Sequence, residues 1–549
     1  MFSVRKRSEE MEAAVSKEID LLVIGGGITG AGIALDAQTR GIETVLIEMQ
    51  DFAAGTSSRS TKLVHGGLRY LKQLEFGLVA EVGKERAIVY ENAPHVTRPE
   101  WMLLPLIQGG TYGKLASSLG IWLYDHLAGV KKSERRRMLN KAETLRKEPL
   151  LREAGLKGAG YYVEYRTDDA RLTLEVMKKA VEFGAKAFNY MKALDLIYRD
   201  GKLAGVQAVD LLTGEKYVLY AKKIVNATGP WVDGLREKDG SKKGKVLHWT
   251  KGVHLVVDQK RFPLRQAVYF DTPDGRMVFA IPRDGKTYIG TTDTDYHGDL
   301  VHPRMTKEDR DYLLAAANYM FPTIQLTARD VESSWAGIRP LIHEEGKSPS
   351  EISRKDEIFR SHTGLITIAG GKLTGYRKMA ERVVDLVAAE LTAEQGRSFN
   401  PCHTDQIRLS GGDVGGSVGW ADFVKEKVKT GVQLGLSEKE ASKLVERYGS
   451  NIDLVYGVIV KESEEAEKYG LPLEVYAPLV YAVEHEMAAT PADFFIRRTG
   501  SLLFDIDWVK EWKQGVIRWM ADHLGWDHSA RTEYEKQLDM EIEYATQAV

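Results

Sequence analysis

Three apolar strand-like runs, far apart along the chain, each end in a glycine turn. Leu21-Leu22-Val23-Ile24 runs into Gly25 to Gly30. Lys223-Ile224-Val225-Asn226 runs into Ala227-Thr228-Gly229-Pro230, and Leu365-Ile366-Thr367-Ile368 into Ala369-Gly370-Gly371. Runs of this length without polar alternation are expected of parallel strands buried on both faces. After the first, the pattern predicts a helix from about Ala31 to Arg40, closed by Gly41, and then a second buried strand, Thr44-Val45-Leu46-Ile47, completing a βαβ unit. The third run leads into a helix through Tyr376-Arg377-Lys378-Met379-Ala380. Between the runs, His254-Leu255-Val256-Val257 and Thr287-Tyr288-Ile289-Gly290 predict a mixed or antiparallel sheet, the expected substrate-binding layer. From about residue 398 strand signals stop, and Leu436-Ser437-Glu438-Lys439-Glu440-Ala441 opens a predicted run of helices reaching Glu541.

Length and composition narrow the picture. A chain of 549 residues exceeds one core and predicts two or three domains. A net charge of −2 argues against a nucleic-acid partner, so any anionic substrate must be met by a local cluster of charge. With Cys402 as the only cysteine, no intrachain disulfide or cysteine-rich metal site can form, which fits a reducing, cytoplasmic setting. The segment from Met1 to Ile19 lacks an apolar core and does not read as a secretory signal. No uncharged stretch approaches the roughly 18–20 residues that span a bilayer, so membrane contact is expected at most on the surface.

Gly25-Gly26-Gly27-Ile28-Thr29-Gly30 fits G-x-G-x-x-G. In that motif the first glycine permits a tight turn, Gly27 lets backbone approach a pyrophosphate, and Gly30 lets the helix pack close to the sheet. The helix N-terminus then favours phosphate charge, and Glu48, ending the second strand, suits ribose hydroxyls. The motif alone is a weak signal and does not separate FAD from NAD. The hydroxyl-rich stretch Thr56 to Tyr70 reads, on composition, either as a polar surface loop or as a set of donors for a pyrophosphate and flavin edge.

The glycine loop with Glu48, Thr56 to Tyr70, Asn226 to Trp231, Ile289-Gly290-Thr291-Thr292-Asp293, Gly337-Ile338-Arg339-Pro340-Leu341 and Gly370-Gly371-Lys372-Leu373-Thr374 together resemble the FAD-dependent glycerol-3-phosphate dehydrogenases, within the D-amino-acid-oxidase-like flavoproteins. The resemblance runs in order from about residue 18 to 400. It implies an α/β fold: a Rossmann-type FAD-binding domain interleaved with a mixed or antiparallel-sheet substrate domain, plus a C-terminal all-α domain. The expected oxidoreductase unit is 1–397, with FAD-binding parts near 18–68, 155–235 and 335–397 and substrate parts near 69–154 and 236–334; the helical domain is 398–549.

The resemblance further implies oxidation of sn-glycerol 3-phosphate at C2 to dihydroxyacetone phosphate, with hydride passing to flavin N5 and electrons onward to a quinone. Its implied cofactor contacts are Gly25, Gly27, Gly30, Glu48, Thr56, Ser57, Ser58, Lys62, Leu63, Ala227, Gly229, Gly337, Gly371, Leu373 and Thr374. A phosphate dianion needs cations, and Arg69, Arg339 and Lys372 could clamp it, with Tyr70 adding a hydroxyl and Arg354 a further charge. Such charge-assisted bonds contribute roughly 1.5–3 kcal/mol each. For the base, His65 and His254 stand equally, an imidazole with the ordinary value of about 6.5 suiting the task. Arg339 completes the catalytic set.

Other signals are set aside. Asp293 to Gly298 opens like a calcium loop, but His297 and Arg304 occupy ligand positions. Gly371-Lys372 is followed by Leu373 where a P-loop needs Ser or Thr. Asp168 before Ala170-Arg171-Leu172 reads as a helix cap. No metal is expected. The basic run Lys131 to Arg137, after the semi-apolar Leu115 to Tyr124, is a candidate contact with anionic lipid at the inner face of the cell membrane. Remaining alternatives are a glycerol-3-phosphate oxidase using oxygen, an amino-acid or amine oxidase, and a non-catalytic flavin-binding scaffold. The compact stretch Thr291 to Arg339 favours the dehydrogenase over the oxidase. Oligomeric state stays open, a homodimer included.

Overall fold

A computed structural model describes residues 2–64, 76–109, 135–344 and 355–549. His65, Arg69, Tyr70, Arg354, the stretch Leu115 to Tyr124 and the basic residues Lys131 to Glu134 lie outside the described residues.

The apolar runs become one sheet. Ile19–Ile24 pairs in parallel with Thr44–Ile47 on one side and Lys216–Asn226 on the other, and Lys216–Asn226 pairs in parallel with Leu365–Ala369. Leu21, Leu22 and Val23 are fully buried, as strands covered on both faces must be. Burying each such side chain stabilises the fold by about 1.5–3 kcal/mol. Helices Ile28–Thr39 and Tyr376–Gln395 pack against this sheet through Ile33, Ala34, Val383 and Val387. All three glycine turns therefore leave the carboxyl ends of neighbouring parallel strands. Ligands bind in open α/β sheets at that edge. The helix after the first turn begins at Ile28, three residues before the predicted start, because the second half of the glycine loop is already helical.

A second, ten-stranded sheet carries the alternating segments. Lys245–Asp258 pairs antiparallel with both Lys286–Gly290 and Val331–Glu344. Two strands expected on the cofactor side belong here instead. Leu156–Thr167 pairs with Thr97–Ile107, and Val331–Glu344 runs along Lys245–Asp258. Their backbone pairing runs to strands of this sheet along most of their length, and that pairing places them here.

Beyond residue 396 the described chain forms helices only, from Gly416–Gln433 to His528–Thr546. Asp168 caps the helix Asp169–Glu182, accepting from the Arg171 amide at 3.0 Å. Among the described residues no helix is long and apolar enough to cross a membrane.

Candidate functional site

A cavity of about 930 Å³ opens between the two sheets. Its floor is the glycine loop. Gly25 adopts φ +116°, and a Cβ there would lie 2.4 Å from the Ala227 carbonyl oxygen; a Cβ on Gly30 would lie 1.9 Å from the Gly25 oxygen. Gly27 faces the cavity, and its missing Cβ would stand 3.0 Å from Ser57 Oγ. The strand end, the loop and the helix start are thus closer than any side chain allows. What remains is backbone exposed to the cavity at a helix N-terminus, a cradle for phosphate.

Glu48 lines the same cavity. Its carboxylate accepts from the Gly26 amide at 2.7 Å and the Gln50 amide at 2.8 Å, leaving lone pairs for ribose hydroxyls. Burial raises its pKa above the usual carboxylate range, and the nearby Asp51 charge adds to that. At the third glycine turn, Gly370 and Gly371 take φ +73° and +84°, and a Cβ on Gly371 would meet Met379 Sδ at 2.5 Å. Gly371, Leu373 and Thr374 line the cavity, as do Ala227, Gly229, Gly337, Thr56, Ser57 and Leu63. Three backbone cradles around one elongated cavity fit a dinucleotide bearing a ring system, and FAD is such a group.

The hydroxyls of the Thr56 stretch are used differently from the expectation. Thr56 Oγ1 donates to the Ile338 carbonyl at 2.7 Å, and Ser57 Oγ accepts from the Ile28 amide at 2.9 Å. They tie the loop to the sheet and helix. Ser58 and Lys62 are not brought to the large cavity; they line a smaller one behind it. Lys62 is buried there, its ammonium donating to Asp169 at 2.7 Å and to the Ser58 carbonyl at 3.0 Å. A buried ammonium needs such a counter-charge, which the sequence pattern does not reveal.

The opposite wall supplies side chains. Arg339 projects from Val331–Glu344 and donates to Thr291 Oγ1 at 3.0 Å, to the Thr292 carbonyl at 3.2 Å and to Asp293 at 3.2 Å. It fits because Gly252, on the paired strand, has no side chain: a Cβ there would lie 2.4 Å from Arg339 Nη2. Lys372 enters from the third glycine turn. His254 is buried, stacked on Trp335 with ring centroids 4.6 Å apart, and its Nε2 lies 3.0 Å from Thr61 Oγ1. Its buried Nδ1 has no hydrogen-bond partner among the described residues. Burial first, then the charges of Arg339 and Lys62, hold its pKa well below the ordinary value, so the ring is neutral rather than poised near 6.5. Sequence reasoning carried Thr61 only as one hydroxyl of the Thr56–Tyr70 stretch, and it missed Gly252, Trp335 and the aromatic residues Tyr162, Tyr269 and Phe279 that line the cavity. Strand alternation could have placed Gly252 on the face of His254; no motif marks the others.

Comparison with known proteins agrees with this geometry. Residues 20–377 match the family described as FAD dependent oxidoreductase, and residues 402–531 match the C-terminal domain of alpha-glycerophosphate oxidase. The chain is 63% identical over 538 residues to the aerobic glycerol-3-phosphate dehydrogenase of Bacillus subtilis, covering 98% of this chain and 97% of that one. The crystal structure of the glycerol-3-phosphate dehydrogenase from Bacillus halodurans complexed with FAD superposes with a TM-score of 0.88 at 56% identity, covering 100% and 99% of the two chains. The L-alpha-glycerophosphate oxidase of Mycoplasma pneumoniae shares the fold over 70% of this chain and 96% of its own, with a TM-score of 0.55 and 18% identity.

Proposed function

The chain belongs to the FAD-dependent glycerol-3-phosphate dehydrogenases, and on that premise we propose that it oxidises sn-glycerol 3-phosphate at C2 to dihydroxyacetone phosphate. The observation that carries this reading is that Arg339, Lys372 and a neutral His254 line the same cavity as the glycine cradle. When bound, the flavin supplies a two-electron acceptor for the hydride leaving C2. Arg339 and Lys372 receive the phosphate dianion, which orients the C2 hydroxyl toward the histidine. His254, kept neutral by its surroundings, accepts the hydroxyl proton as the ketone forms. Stacking on Trp335 holds the imidazole plane.

The test is anaerobic mixing of the yellow protein with glycerol 3-phosphate, glycerol and alanine in turn. Bleaching by glycerol 3-phosphate alone supports the reading. Bleaching by alanine would return it to the amino-acid oxidases, and bleaching by none would leave a flavin-binding scaffold.

Electrons leave for a quinone. The support is the word dehydrogenase, not oxidase, in the name of the Bacillus subtilis relative, and the compact Thr291–Arg339 stretch. Reoxidation of the reduced protein by a short-chain quinone should outrun reoxidation by oxygen; the reverse order would assign an oxidase. The basic run ending in Arg135, Arg136 and Arg137 would bring the protein to an anionic lipid surface, and failure to bind anionic liposomes at low salt would remove that assignment.

A further inference from the structure

Glu48 and Gly26 hold one another through the loop that follows Glu48, and that loop is anchored from the C-terminal helices. Asp51 is the anchor point. It is 1% exposed, and its carboxylate receives Arg497 Nε, Arg498 Nη1 and, at 2.8 Å, Arg498 Nη2. Asn189 Nδ2 donates to it at 3.0 Å and also to the Met487 carbonyl at 2.9 Å. The two arginines end the π-helix Asp493–Arg498. Successive residues of an α-helix point about 100° apart and do not meet at one target. Here two neighbours converge on one carboxylate, on the kind of widened turn that recurs at functional positions.

From Asp51 the connection runs directly to the cavity floor. The Ala53 amide donates to the Gly26 carbonyl at 3.0 Å, while the Gly26 amide donates to Glu48 at 2.7 Å. The Tyr190 and Met191 amides fix the loop from behind, on Gln50 and Glu48 carbonyls at 2.8 and 2.7 Å. Phe52 fills the remaining space; a Cβ on Gly26 would touch its ring at 2.8 Å. Behind the arginines, Asp493 takes Arg497 at 2.8 Å, and Arg498 donates to the Glu486 carbonyl at 2.7 Å. Glu486 in turn is shared with Arg171 and Lys178.

Burying a charge cluster of this size is expensive, and well-packed apolar side chains would often stabilise such a place more. What charge offers is direction: a bidentate fork fixes the orientation of the Asp51 carboxylate as apolar packing cannot. Burial opposes ionisation of Asp51, but Arg498 and Arg497 outweigh it and hold its pKa below the usual carboxylate range.

We infer that Arg497 and Arg498 are positioning residues for the cofactor, acting through Asp51 to hold the 48–54 loop in the shape that retains the adenosine half of FAD. The family match for FAD binding covers residues 20–377, so retention is completed by a segment outside it, within 402–531. The inference rests on the FAD reading given above.

The test uses full-length apoprotein titrated with FAD and with ADP, which carries only the adenosine half. Asp51→Asn keeps the size and removes the charge; Arg498→Lys keeps the charge and removes the fork. Both should weaken FAD and ADP together, Asp51→Asn about tenfold or more and Arg498→Lys less. KM for glycerol 3-phosphate should stay within twofold once FAD is saturating. Trp519→Phe, in the buried core of the C-terminal helices, should lower the thermal midpoint without moving either affinity. Affinities within twofold of the parent, with only the thermal midpoint lowered, would overturn the inference. Should Asp51→Asn fail to fold, the Lys variant and one measurement on the unaltered protein decide. ADP added to apoprotein should slow amide exchange across residues 493–498, and unchanged exchange there would refute the clamp. A parent protein that takes up no FAD would instead end the functional reading itself.

Discussion

The two walls of the cavity are built on opposite principles. On the parallel sheet the contact surface is largely backbone: Gly25, Gly27, Gly229 and Gly371 present peptide groups, and a Cβ would lie 2.4 Å from its nearest neighbour at Gly25 and 2.5 Å at Gly371. On the ten-stranded sheet the contact surface is side chain, with Arg339 and His254 projecting from neighbouring strands where Gly252 and Gly290 leave room. A backbone surface recognises what all dinucleotides share, phosphate charge and close approach. A side-chain surface recognises one substrate and moves its proton. Changes on the first wall should therefore remove the cofactor, and changes on the second should spare it.

The largest effect that could break this division is at Gly25. Gly25→Ala puts a Cβ 2.4 Å from the Ala227 oxygen at a backbone φ of +116° that L residues rarely adopt. The expected product is a chain without yellow colour, read as flavin absorbance per mole of protein; a normal flavin content would show that the cradle tolerates side chains. Next is His254→Gln, which keeps a hydrogen-bonding group but no base. Loss of general-base catalysis should lower kcat by about 10²–10⁴-fold with flavin content unchanged. A loss smaller than tenfold would move the base to another residue, His65 being the sequence's other candidate.

Arg339→Leu follows. Deleting a charge-assisted contact worth roughly 1.5–3 kcal/mol should cut kcat/KM for glycerol 3-phosphate by about 10–150-fold. The same change should leave oxidation of unphosphorylated glycerol, however slow, within twofold. Equal loss for both substrates would mean that Arg339 does not meet the phosphate.

The same division explains what the sequence could show. The cofactor wall was legible, since a backbone cradle must be written in glycine: three glycine turns after three apolar runs give the parallel sheet, its helices and the cavity floor. The helical C-terminal region was legible as an absence of alternation, although Gly416–Gln433 was hidden by the glycines at 411, 412, 415, 416 and 419. The substrate wall was not legible from pattern. Arg339 and Lys372 are 33 residues apart in number, one on a strand of the ten-stranded sheet and the other just after a strand of the parallel sheet, so only family resemblance joins them. The neutral state of His254 depends on burial against Trp335 and on Arg339 and Lys62, which are tertiary facts. Ser58 and Lys62 fail as cavity residues for the same reason, because Asp169, 107 residues away, draws the ammonium aside.

The pH profile sharpens the second wall with a moderate effect. His254 has its pKa depressed in the fold, so the neutral base persists below the ordinary value of about 6.5. If it is the base, kcat at saturating glycerol 3-phosphate should run level through pH 6.5 and fall only at lower pH, whereas kcat/KM also follows the second ionisation of the substrate phosphate at about 6; a break in kcat near 6.5 would point to an exposed histidine. Stability has the matching sign. Below about pH 6.5 the unfolded chain gains a proton that buried His254 resists, so this residue's contribution declines from there downward as pH falls. His254→Gln should flatten that part of the stability curve.

The smallest effect tests the least visible residue. Gly252 bears no motif and touches no phosphate, yet Arg339 occupies the space its side chain would fill. A Cβ at 252 would lie 2.4 Å from Arg339 Nη2 and 2.5 Å from Thr291 Oγ1, both ends of movable side chains rather than backbone. Gly252→Ala should therefore cost little stability, the guanidinium swinging aside and giving up its bond to Thr291. An arginine moved by about an ångström keeps its charge near the phosphate but loses its alignment, so KM for glycerol 3-phosphate should rise several-fold while flavin content and kcat hold. In the Arg339→Leu background the same substitution should change KM no further, because the guanidinium whose alignment it disturbs is gone. If Gly252→Ala raises KM equally in both backgrounds, the glycine acts on the substrate directly, and the side-chain wall extends one strand deeper than Arg339.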